Sequence, residues 1–454
     1  MYKWKSCPQV FAATSASLIL VATGFHMAWP TPSLVKLFAD DSEITLTTGQ
    51  GSWIASMSLV GSVFGSLAGF FLIDSWGRKN TLLLMAGPLF ASCVLIALAK
   101  SYRWLYLARF TAGFGNGGVI SSIAIYTSEI AEDRTRGGLG ILVTLMINIG
   151  FFIPLTVGPW VDMKVLASIG AVIPIVSAVL FVWVPESPYY YVMKRNSYLA
   201  EKSLVRLRGT PNVHEELKKI EHTVDRNKKN EGTALDLFTV ASNRRALGVM
   251  IGLLTSQQFS GFVAIFAYSI VIFNRIDATI STDVFAIILA VVKLVTTIIV
   301  VFLADKVGRR PLLLTSMFFC TIFLIGGAIY FHLESLKIDV SPYSWIALVA
   351  MIGYMASFMS GIGTLPMFMA SEIFPCEVKA FALTGGAIYV AVIGVVVTKL
   401  YQIVSDALGI EVVFYGFAAC SAISIVFIYL VVPETKNRSF LEIQEEFESP
   451  RKPR

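Results

Sequence analysis

The sequence predicts an all-α membrane protein with twelve transmembrane helices in two six-helix halves, and two observations lead to this fold class. The first is composition. Hydrophobic residues make up 56% of the 454 residues and charged residues only 15%, whereas soluble domains carry about 25% charged residues. Lipid must therefore be the solvent for most of the chain. The second observation is a charged pattern that occurs twice, as Asp74-x-x-Gly77-Arg78-Lys79 and as Asp305-x-x-Gly308-Arg309-Arg310.

Twelve apolar stretches are long enough to be membrane-spanning helices. Crossing the hydrocarbon core takes about 20 apolar residues, and helices are required because lipid cannot hydrogen-bond an exposed backbone. The predicted spans are 9–30, 51–73, 80–99, 104–126, 138–160, 165–184, 247–273, 283–304, 311–332, 344–370, 380–401 and 412–432. Their number is even, so both termini are expected on the same side of the membrane.

Two further landmarks repeat in the same order as the charged pattern. Ser128-Glu129-Ile130 is echoed by Ser371-Glu372-Ile373, and Pro185-Glu186 is echoed by Pro433-Glu434. The offsets between the three pairs of landmarks are 231, 243 and 248 residues, which indicates two parallel repeats with a longer connection between them. This plan is typical of transporters, and the substrate site is then expected near the midplane, where the halves meet.

The basic residues predict the orientation of the chain. Of the 36 Lys and Arg residues, 27 fall in segments that are cytoplasmic if both termini lie inside, and seven fall in the opposite loops or helix ends. Because cytoplasmic loops are enriched in Lys and Arg, we predict cytoplasmic termini. The predicted segments are an N-terminal six-helix bundle at 1–188, a cytoplasmic helical linker at 189–246, a C-terminal six-helix bundle at 247–436 and a cytoplasmic tail at 437–454.

Charge and cysteine usage argue against several other functions. The net charge of +6 follows from the topological excess of basic residues, so it does not indicate a nucleic-acid partner. The five cysteines are scattered without the spacing of metal or redox sites, and no catalytic triad or nucleotide-binding loop is recognisable. We therefore expect no enzyme activity, no cofactor, no metal and no obligate protein partner, with the lipid bilayer as the surroundings.

Motifs along the whole chain are specific as a group. They are the two charged patterns, Arg109, Tyr126-x-Ser128-Glu129-Ile130 with Arg134 and Arg136-Gly137, Pro185-Glu186-Ser187-Pro188, Gln257-Gln258-Phe259-Ser260-Gly261, Glu372-Ile373-Phe374-Pro375 and Pro433-Glu434-Thr435-Lys436. Over essentially its full length the chain resembles the sugar porters of the major facilitator superfamily. Residues 24–32 of the first span also resemble the insect trehalose-transporter branch. The resemblance implies a membrane protein that moves a sugar by alternating access.

The repeated charged pattern fits a tight turn between two helices. Glycine permits the turn, and the basic pair can meet Glu129 or Glu186 in the first half and Glu372 or Glu434 in the second. Such pairs hold helix ends together in one conformation and break in the other, so they set a conformational equilibrium; the alternative is a purely topological charge. The predicted gating residues are Asp74, Gly77, Arg78, Lys79, Glu129, Arg134, Arg136, Glu186, Asp305, Gly308, Arg309, Arg310, Glu372, Lys379 and Glu434.

Two amides in the seventh span are the leading substrate-binding candidates. Amides are costly in hydrocarbon without a partner, yet they supply donors and acceptors for sugar hydroxyls. The resemblance implies that Gln257 and Gln258 contact the sugar; the alternative is hydrogen bonding between helices. Further candidates are Thr144, Asn148, His26 and Lys293.

The sequence departs from the family at several polar positions. Thr144 stands where the family usually has Gln, Val263 and Lys293 stand where it has Asn, and Val390-Ala391 replaces Asn-Trp. A charge at the depth of Lys293 indicates function by default, with an anionic solute or a sugar hydroxyl as its partner, and snorkelling is the alternative. Glucose specificity does not follow from the resemblance.

His26 and Arg109 occupy the positions where proton-coupled relatives have an acid and its arginine partner. No unpaired Asp or Glu is predicted within a span, which favours facilitated diffusion, while a titrating histidine keeps proton coupling open. We predict a facilitative transporter of trehalose or another saccharide in the plasma membrane. The alternatives are a carrier of a different small polar or anionic solute, a proton-coupled sugar symporter and a non-transporting sugar sensor.

Overall fold

The computed structural model describes residues 7–40, 42–132, 136–229, 233–276 and 280–436. Within these residues the regular structure is helical. The α-helices are α1 Cys7–Ser17, α2 Ile19–Ala28, α3 Pro30–Phe38, α4 Thr48–Ser75, α5 Arg78–Ala97, α6 Tyr102–Ile130, α7 Arg136–Val157, α8 Met163–Val182, α9 Pro188–Met193, α10 Ser197–Arg208, α11 His214–Lys229, α12 Asp236–Thr239, α13 Ala241–Phe259, α14 Phe262–Ala267, α15 Ser269–Phe273, α16 Thr282–Val307, α17 Arg309–Ser335, α18 Ser344–Met359, α19 Leu365–Ile373, α20 Cys376–Leu408 and α21 Ile410–Val431.

The predicted membrane-spanning character is confirmed. Eleven helical stretches in the described part of the chain are long and apolar enough to cross a membrane, and each coincides with a predicted span. The remaining predicted span, 104–126, is the 29-residue helix α6. It is less apolar because it carries Arg109, Asn116 and several glycines, which are buried inside the protein rather than exposed to lipid.

Three of the spans are broken helices. The first divides into α1, α2 and α3, the seventh into α13, α14 and α15, and the tenth into α18 and α19. Gly261 ends α13 in the left-handed conformation, with φ +85°, which favours glycine. The turn before α19 leads to Pro366 at the start of that helix. These breaks leave backbone groups available for side chains at the level of the spans.

The described residues group into two compact units. The first comprises Met1–Met27, Met57–Ile153 and Val161–Gly232; the second comprises Ala28–Ser56, Pro154–Trp160 and Thr233–Arg454. In the first unit α6 packs closely on α4, and a Cβ on Gly113 would lie 1.9 Å from the carbonyl oxygen of Ser58. Small residues at such crossings are what allows membrane helices to approach each other.

The segment 189–246, predicted as a helical linker, contains the helices α10 and α11. Their apolar residues, among them Leu204, Leu217 and Ile220, form a small buried cluster. Asn196 caps α10 by accepting a hydrogen bond from the backbone N–H of Leu199 at 3.1 Å, as expected of an N-cap residue. The placement of this segment on the cytoplasmic side remains a prediction.

Candidate functional site

The buried carboxylate of Glu186 binds the backbone at the end of the first charged pattern. Gly77 has φ +102° and immediately precedes α5. The Glu186 carboxylate accepts hydrogen bonds from the backbone N–H of Lys79 at 2.9 and 3.0 Å and from that of Ser187 at 2.8 Å. The first N–H groups of a helix have no partner within the helix and favour an anion. Glu186 therefore fixes the start of α5 against the segment that follows α8.

Two carboxylates hold the arginine of this pattern. Arg78 donates from Nε and Nη2 to the Glu129 carboxylate at 2.9–3.2 Å, and its Nη1 lies 3.1 Å from Asp74 Oδ1. The Ser187 hydroxyl also donates to Glu129. The guanidinium is almost fully buried, and bidentate charged hydrogen bonds of this kind are the strong ones.

The second unit repeats the arrangement. Gly308 has φ +108°, and Glu434 accepts from the backbone N–H groups of Arg309 at 3.0 Å and Arg310 at 3.1 Å. Arg309 Nη2 donates to Glu372 Oε1 at 3.2 Å, and the Thr435 hydroxyl donates to the same carboxylate. We call each set a carboxylate clamp: Arg78, Glu129, Glu186 and Ser187 in the first unit; Arg309, Glu372, Glu434 and Thr435 in the second.

In each clamp the two glutamates have different roles, which the sequence did not distinguish. The first basic residue of each pair meets one glutamate through its side chain, and the second glutamate binds backbone N–H groups. The side chain of Lys79 donates to the carbonyl of Val182 at 2.7 Å, and that of Arg310 donates to the carbonyl of Tyr429. The hydroxyls of Ser187 and Thr435 were not predicted, although a Ser or Thr follows the glutamate in both repeats.

Four further predicted gating residues are not part of the clamps. Lys379 lies in the first turns of α20. Arg136 begins α7 and Asp305 lies near the end of α16, but only their backbone belongs to the described part of the structure. Arg134 lies outside the described residues. The predicted residues that form the clamps, together with Ser187 and Thr435, are Arg78, Glu129, Glu186, Arg309, Glu372 and Glu434.

The two helix-start carboxylates differ in acidity. Burial raises the pKa of Glu186 above its ordinary value, and the hydrogen bonds from Lys79 and Ser187 offset this only in part. At Glu434 burial also raises the pKa, but backbone N–H groups, among them those of Lys436, Arg309 and Arg310, outweigh it and hold the pKa below its ordinary value. Glu186 is therefore expected to take up a proton at a higher pH than Glu434.

Replacing Gly77 by alanine is expected to destabilise the first carboxylate clamp. A Cβ at this position would lie 2.3 Å from Glu186 Oε2, and φ +102° is disfavoured for alanine. We expect the free energy of unfolding to fall by about 1–3 kcal/mol, measured by denaturant unfolding of the purified protein in detergent. Gly87→Ala is the matched control because a Cβ there would meet open space. Equal stability of the two variants would contradict the prediction.

In the first unit His26 and Arg109 lie in contact and are fully buried. Arg109 donates from Nη1 to the His26 carbonyl oxygen at 2.7 Å and from Nη2 to Ser58 Oγ at 2.9 Å. His26 Nε2 lies 3.0 Å from the carbonyl oxygen of Leu89 and 3.5 Å from Cys93 Sγ. In these bonds the guanidinium meets the backbone of His26 rather than its imidazole, and it ties α2 to α4 and α6.

Asn148 and Thr144 lie one turn apart on α7. Asn148 is buried and its Nδ2 donates to the Thr144 carbonyl at 2.8 Å. Its Oδ1 has no hydrogen-bond partner among the described residues, so it remains an acceptor. Thr144 is half-buried. A buried acceptor of this kind is the feature expected of a residue that receives a donor from a ligand.

The glutamine pair in the second unit lies beside the break in the tenth span. Gln257 Nε2 donates to the carbonyl oxygens of Ile362 at 2.9 Å and Gly363 at 3.2 Å. These two residues belong to the turn between α18 and α19. Gln258 is only 3% exposed, and its Oε1 has no hydrogen-bond partner among the described residues. Gln257 thus anchors the turn by hydrogen bonds, and Gln258 provides a buried acceptor.

Lys293 lies in the interior of the second unit and is 4% exposed. Its Nζ is 5.1 Å from the ring centroid of Phe266 and 5.8 Å from that of Phe262. Phe262 in turn stacks on Phe358, with ring centroids 4.1 Å apart. Aromatic faces attract a cation at these distances. This burial against two aromatic rings favours an interior position for the lysine over the snorkelling alternative.

A polar contact in the second unit joins α4 to α20. Lys399 Nζ lies 3.9 Å from the ring of Trp53 and donates to Ser52 Oγ at 2.6 Å. Nearby, Thr48 Oγ1 donates to Asp406 Oδ2 at 3.2 Å. These five residues, all in the second unit, join the N-terminal end of α4 to the C-terminal end of α20; we call them the α4–α20 contact. The sequence did not predict it because its members are about 350 residues apart and recur in no motif.

A comparison with known protein families identifies the family of this chain. The family model described as "Sugar (and other) transporter" matches residues 15–447, so the chain belongs to this family, as the sequence motifs predicted.

Curated relatives include facilitated trehalose transporters. Tret1 of Drosophila yakuba is 33% identical over 443 residues, which are 96% of this chain and 51% of that protein. Tret1 of Apis mellifera ligustica is 31% identical over 447 residues, which are 97% of this chain and 88% of that protein. The chain spans about half the length of the Drosophila relatives it matches.

Solved structures share the fold at low sequence identity. The proton:xylose symporter XylE bound to 6-bromo-6-deoxy-D-glucose gives a TM-score of 0.78 with 20% identity, covering 97% of this chain and 100% of that chain. A partially occluded inward open conformation of XylE from E. coli gives a TM-score of 0.80 with 19% identity, covering 95% and 99%. These comparisons confirm the predicted major facilitator fold.

Proposed function

We propose that this protein is a carrier, not an enzyme, that moves a saccharide across a membrane by alternating access. The observation that carries the proposal is the glutamine pair, in which Gln257 is tied to the turn between α18 and α19 and Gln258 keeps a buried acceptor. Amide groups supply the donors and acceptors that sugar hydroxyls require. Membership of the sugar transporter family supports a saccharide, and the names of the curated relatives make trehalose the first sugar to test.

Within each unit, further ligands are proposed from the same predicted set. Asn148 presents its Oδ1 and Thr144 is half-buried one turn away. His26 is buried against Leu89 and Cys93, and Lys293 lies against two aromatic rings. We assign Asn148 and Thr144 to hydroxyl binding and give Lys293 and His26 the supporting role of shaping the interior.

Facilitated diffusion is the mode of transport that we propose. The charged residues deep within the described spans are basic, namely Arg109 and Lys293, and no carboxylate lies mid-span among those described residues. A proton-coupled carrier needs a group that titrates during the cycle, and His26 is the candidate for it. Uptake that needs only a sugar gradient supports facilitated diffusion, whereas concentrative uptake abolished by a protonophore would establish coupling.

Uptake into liposomes tests the proposal directly. Radiolabelled trehalose, glucose and a panel of anionic solutes are offered to liposomes that contain the purified chain and to empty liposomes. We expect saturable uptake of a saccharide that depends on the protein. A protein-dependent uptake of anions with no saccharide uptake would instead favour the alternative of an anion carrier, which the burial of Lys293 motivates; Lys293→Ala should then abolish it.

We propose that the clamps and the α4–α20 contact act at opposite faces during the transport cycle. Alternating access requires that helix ends at one face separate while those at the other close. The α4–α20 contact would break when its face opens, and the clamps would rearrange when the opposite face opens. The excess of basic residues near the clamps supports placing that face in the cytoplasm, with both termini and the segment 189–246, and we propose the plasma membrane as the location.

Removing the Lys399 ammonium is expected to separate the ends of α4 and α20. Lys399→Met keeps the apolar stem but loses the attraction to Trp53 and the hydrogen bond to Ser52. Cation–π attraction contributes about 1–2 kcal/mol when partly desolvated, so the ratio of separated to closed molecules should rise roughly fivefold to thirtyfold. Spin labels on exposed Thr47 and Leu408, in a background without other cysteines, report this distance by double electron–electron resonance.

The control for this measurement is another lysine with an exposed side chain. Lys100→Met removes an equal charge from the first unit, where Lys100 lies in an exposed loop, and should leave the distance distribution as in the parent. A distribution in Lys399→Met that matches the parent would refute a role of the α4–α20 contact in closing its face.

A further inference from the structure

A pair of hydroxyls lies one helical turn from Gln258 in the second unit. Thr255 Oγ1 on α13 and Tyr389 OH on α20 are 2.7 Å apart, and both side chains are half-buried. Thr255 and Gln258 are three residues apart, which places them on the same face of α13. The hydroxyl pair therefore extends the polar face to which Gln258 belongs.

The protons of this pair can be assigned. A hydroxyl has one proton and two acceptor lone pairs. Thr255 donates its proton to the carbonyl oxygen of Ile251 at 2.7 Å, so the bond between the hydroxyls is donated by Tyr389. The phenol oxygen has then used its only proton and keeps its acceptor capacity. It presents an acceptor and no donor to whatever approaches it.

Neighbouring hydroxyls are used differently. Ser256 donates to the carbonyl of Gly252 at 2.8 Å, and Tyr354 donates to the carbonyl of Ser260 at 2.9 Å. Both bonds end on the backbone, and they serve to satisfy a carbonyl. The Tyr389 phenol instead donates to the Thr255 hydroxyl, which in turn donates to the backbone. Thr255 therefore sets the orientation of the phenol's lone pairs.

We propose that the Tyr389 phenol oxygen accepts a hydrogen bond from one hydroxyl of the transported saccharide, with Thr255 as its positioning residue. This inference rests on the proposed function and assigns the same substrate class to a residue outside the predicted set. Because the phenol already donates its proton to Thr255, its oxygen can only accept a further hydrogen bond. It therefore selects a ligand that donates, and every hydroxyl of a sugar can do so. A saccharide that lacks the particular hydroxyl would lose this bond and no other.

Binding of trehalose and its monodeoxy analogues to the purified full chain in nanodiscs tests this. One hydrogen bond contributes about 0.5–1.5 kcal/mol, so Tyr389→Phe should raise the Kd for trehalose roughly twofold to tenfold. One monodeoxy analogue should bind the parent more weakly by a similar factor and should bind the parent and Tyr389→Phe equally. Thr255→Val should show a smaller rise, because the phenol remains but loses its orientation.

The controls separate this inference from the proposed function. Ser256→Ala removes a hydroxyl that bonds only to the helix backbone and should leave the Kd unchanged. If Gln257→Ala weakens trehalose binding while Tyr389→Phe binds trehalose and all analogues as the parent does, the role of Tyr389 is wrong and the proposed function stands. If the parent binds no saccharide, both are overturned.

Discussion

Gln257→Ala is expected to lower the rate of saccharide transport about tenfold or more. The side chain donates to the carbonyls of Ile362 and Gly363, which lie in the turn between α18 and α19. Alanine would release that turn and would also remove an amide oxygen, which we propose as an acceptor for a sugar hydroxyl. Each lost hydrogen bond costs about 0.5–1.5 kcal/mol, so two of them account for an effect of this size. The measurement is initial uptake of labelled trehalose at several concentrations.

A glutamine outside this region serves as the control. Gln50 accepts a local hydrogen bond from the Thr47 backbone N–H near the start of α4, and Gln50→Ala should leave both KM and the maximal rate close to those of the parent. Incorporation into the liposomes must be equal for all variants. Unchanged KM and rate in Gln257→Ala would remove this residue from the binding site.

Arg78→Met is expected to destabilise the protein by about 3–5 kcal/mol. The Arg78 guanidinium is almost fully buried and bonds Glu129 through two nitrogens. Methionine fills a similar volume but leaves the Glu129 carboxylate buried without a cation, and breaking a buried ion pair on one side costs this much. Denaturant unfolding of the purified protein in detergent measures the free energy. The equivalent change Arg309→Met should cost less, because its partner Glu372 is more exposed than Glu129, the partner of Arg78.

The double variant decides whether the lost charge is the cause. Arg78→Met combined with Glu129→Gln removes both charges, and it should recover part of the stability that Arg78→Met loses, because no unpaired charge is then buried. A double variant that is as unstable as the sum of the two single changes would show that packing, rather than charge, dominates this clamp.

The spans and the repeat could be predicted from sequence because both depend on local properties. Apolar length decides which segments cross the membrane, and the same motif at two positions decides that the halves are related. The charged pattern also pointed to the glutamates that contact the arginines, since a buried arginine needs a carboxylate near it; their gating role stays a prediction. The pattern did not show which glutamate has which role: Glu129 binds the Arg78 guanidinium, whereas Glu186 binds backbone N–H groups at the start of α5.

Contacts between distant parts of the chain were harder to predict. Lys399 meets Trp53 across about 350 residues, and no spacing rule links a lysine near one helix end to an aromatic residue near another. The break at Gly261 was also missed, because an isolated glycine within an apolar stretch is compatible with an unbroken helix. The burial of Lys293 against Phe262 and Phe266 depends on that break, which starts α14 at the level of the lysine.

Counterflow of labelled trehalose is the most direct test of the central claim that this chain carries a saccharide by alternating access. Liposomes with the purified protein are loaded with unlabelled trehalose and diluted into a trace of labelled trehalose, with and without a protonophore. We expect a transient accumulation of label above its external concentration, unaffected by the protonophore, because each returning carrier brings a labelled molecule inward. Absence of any accumulation, in vesicles that hold correctly folded protein, would contradict it.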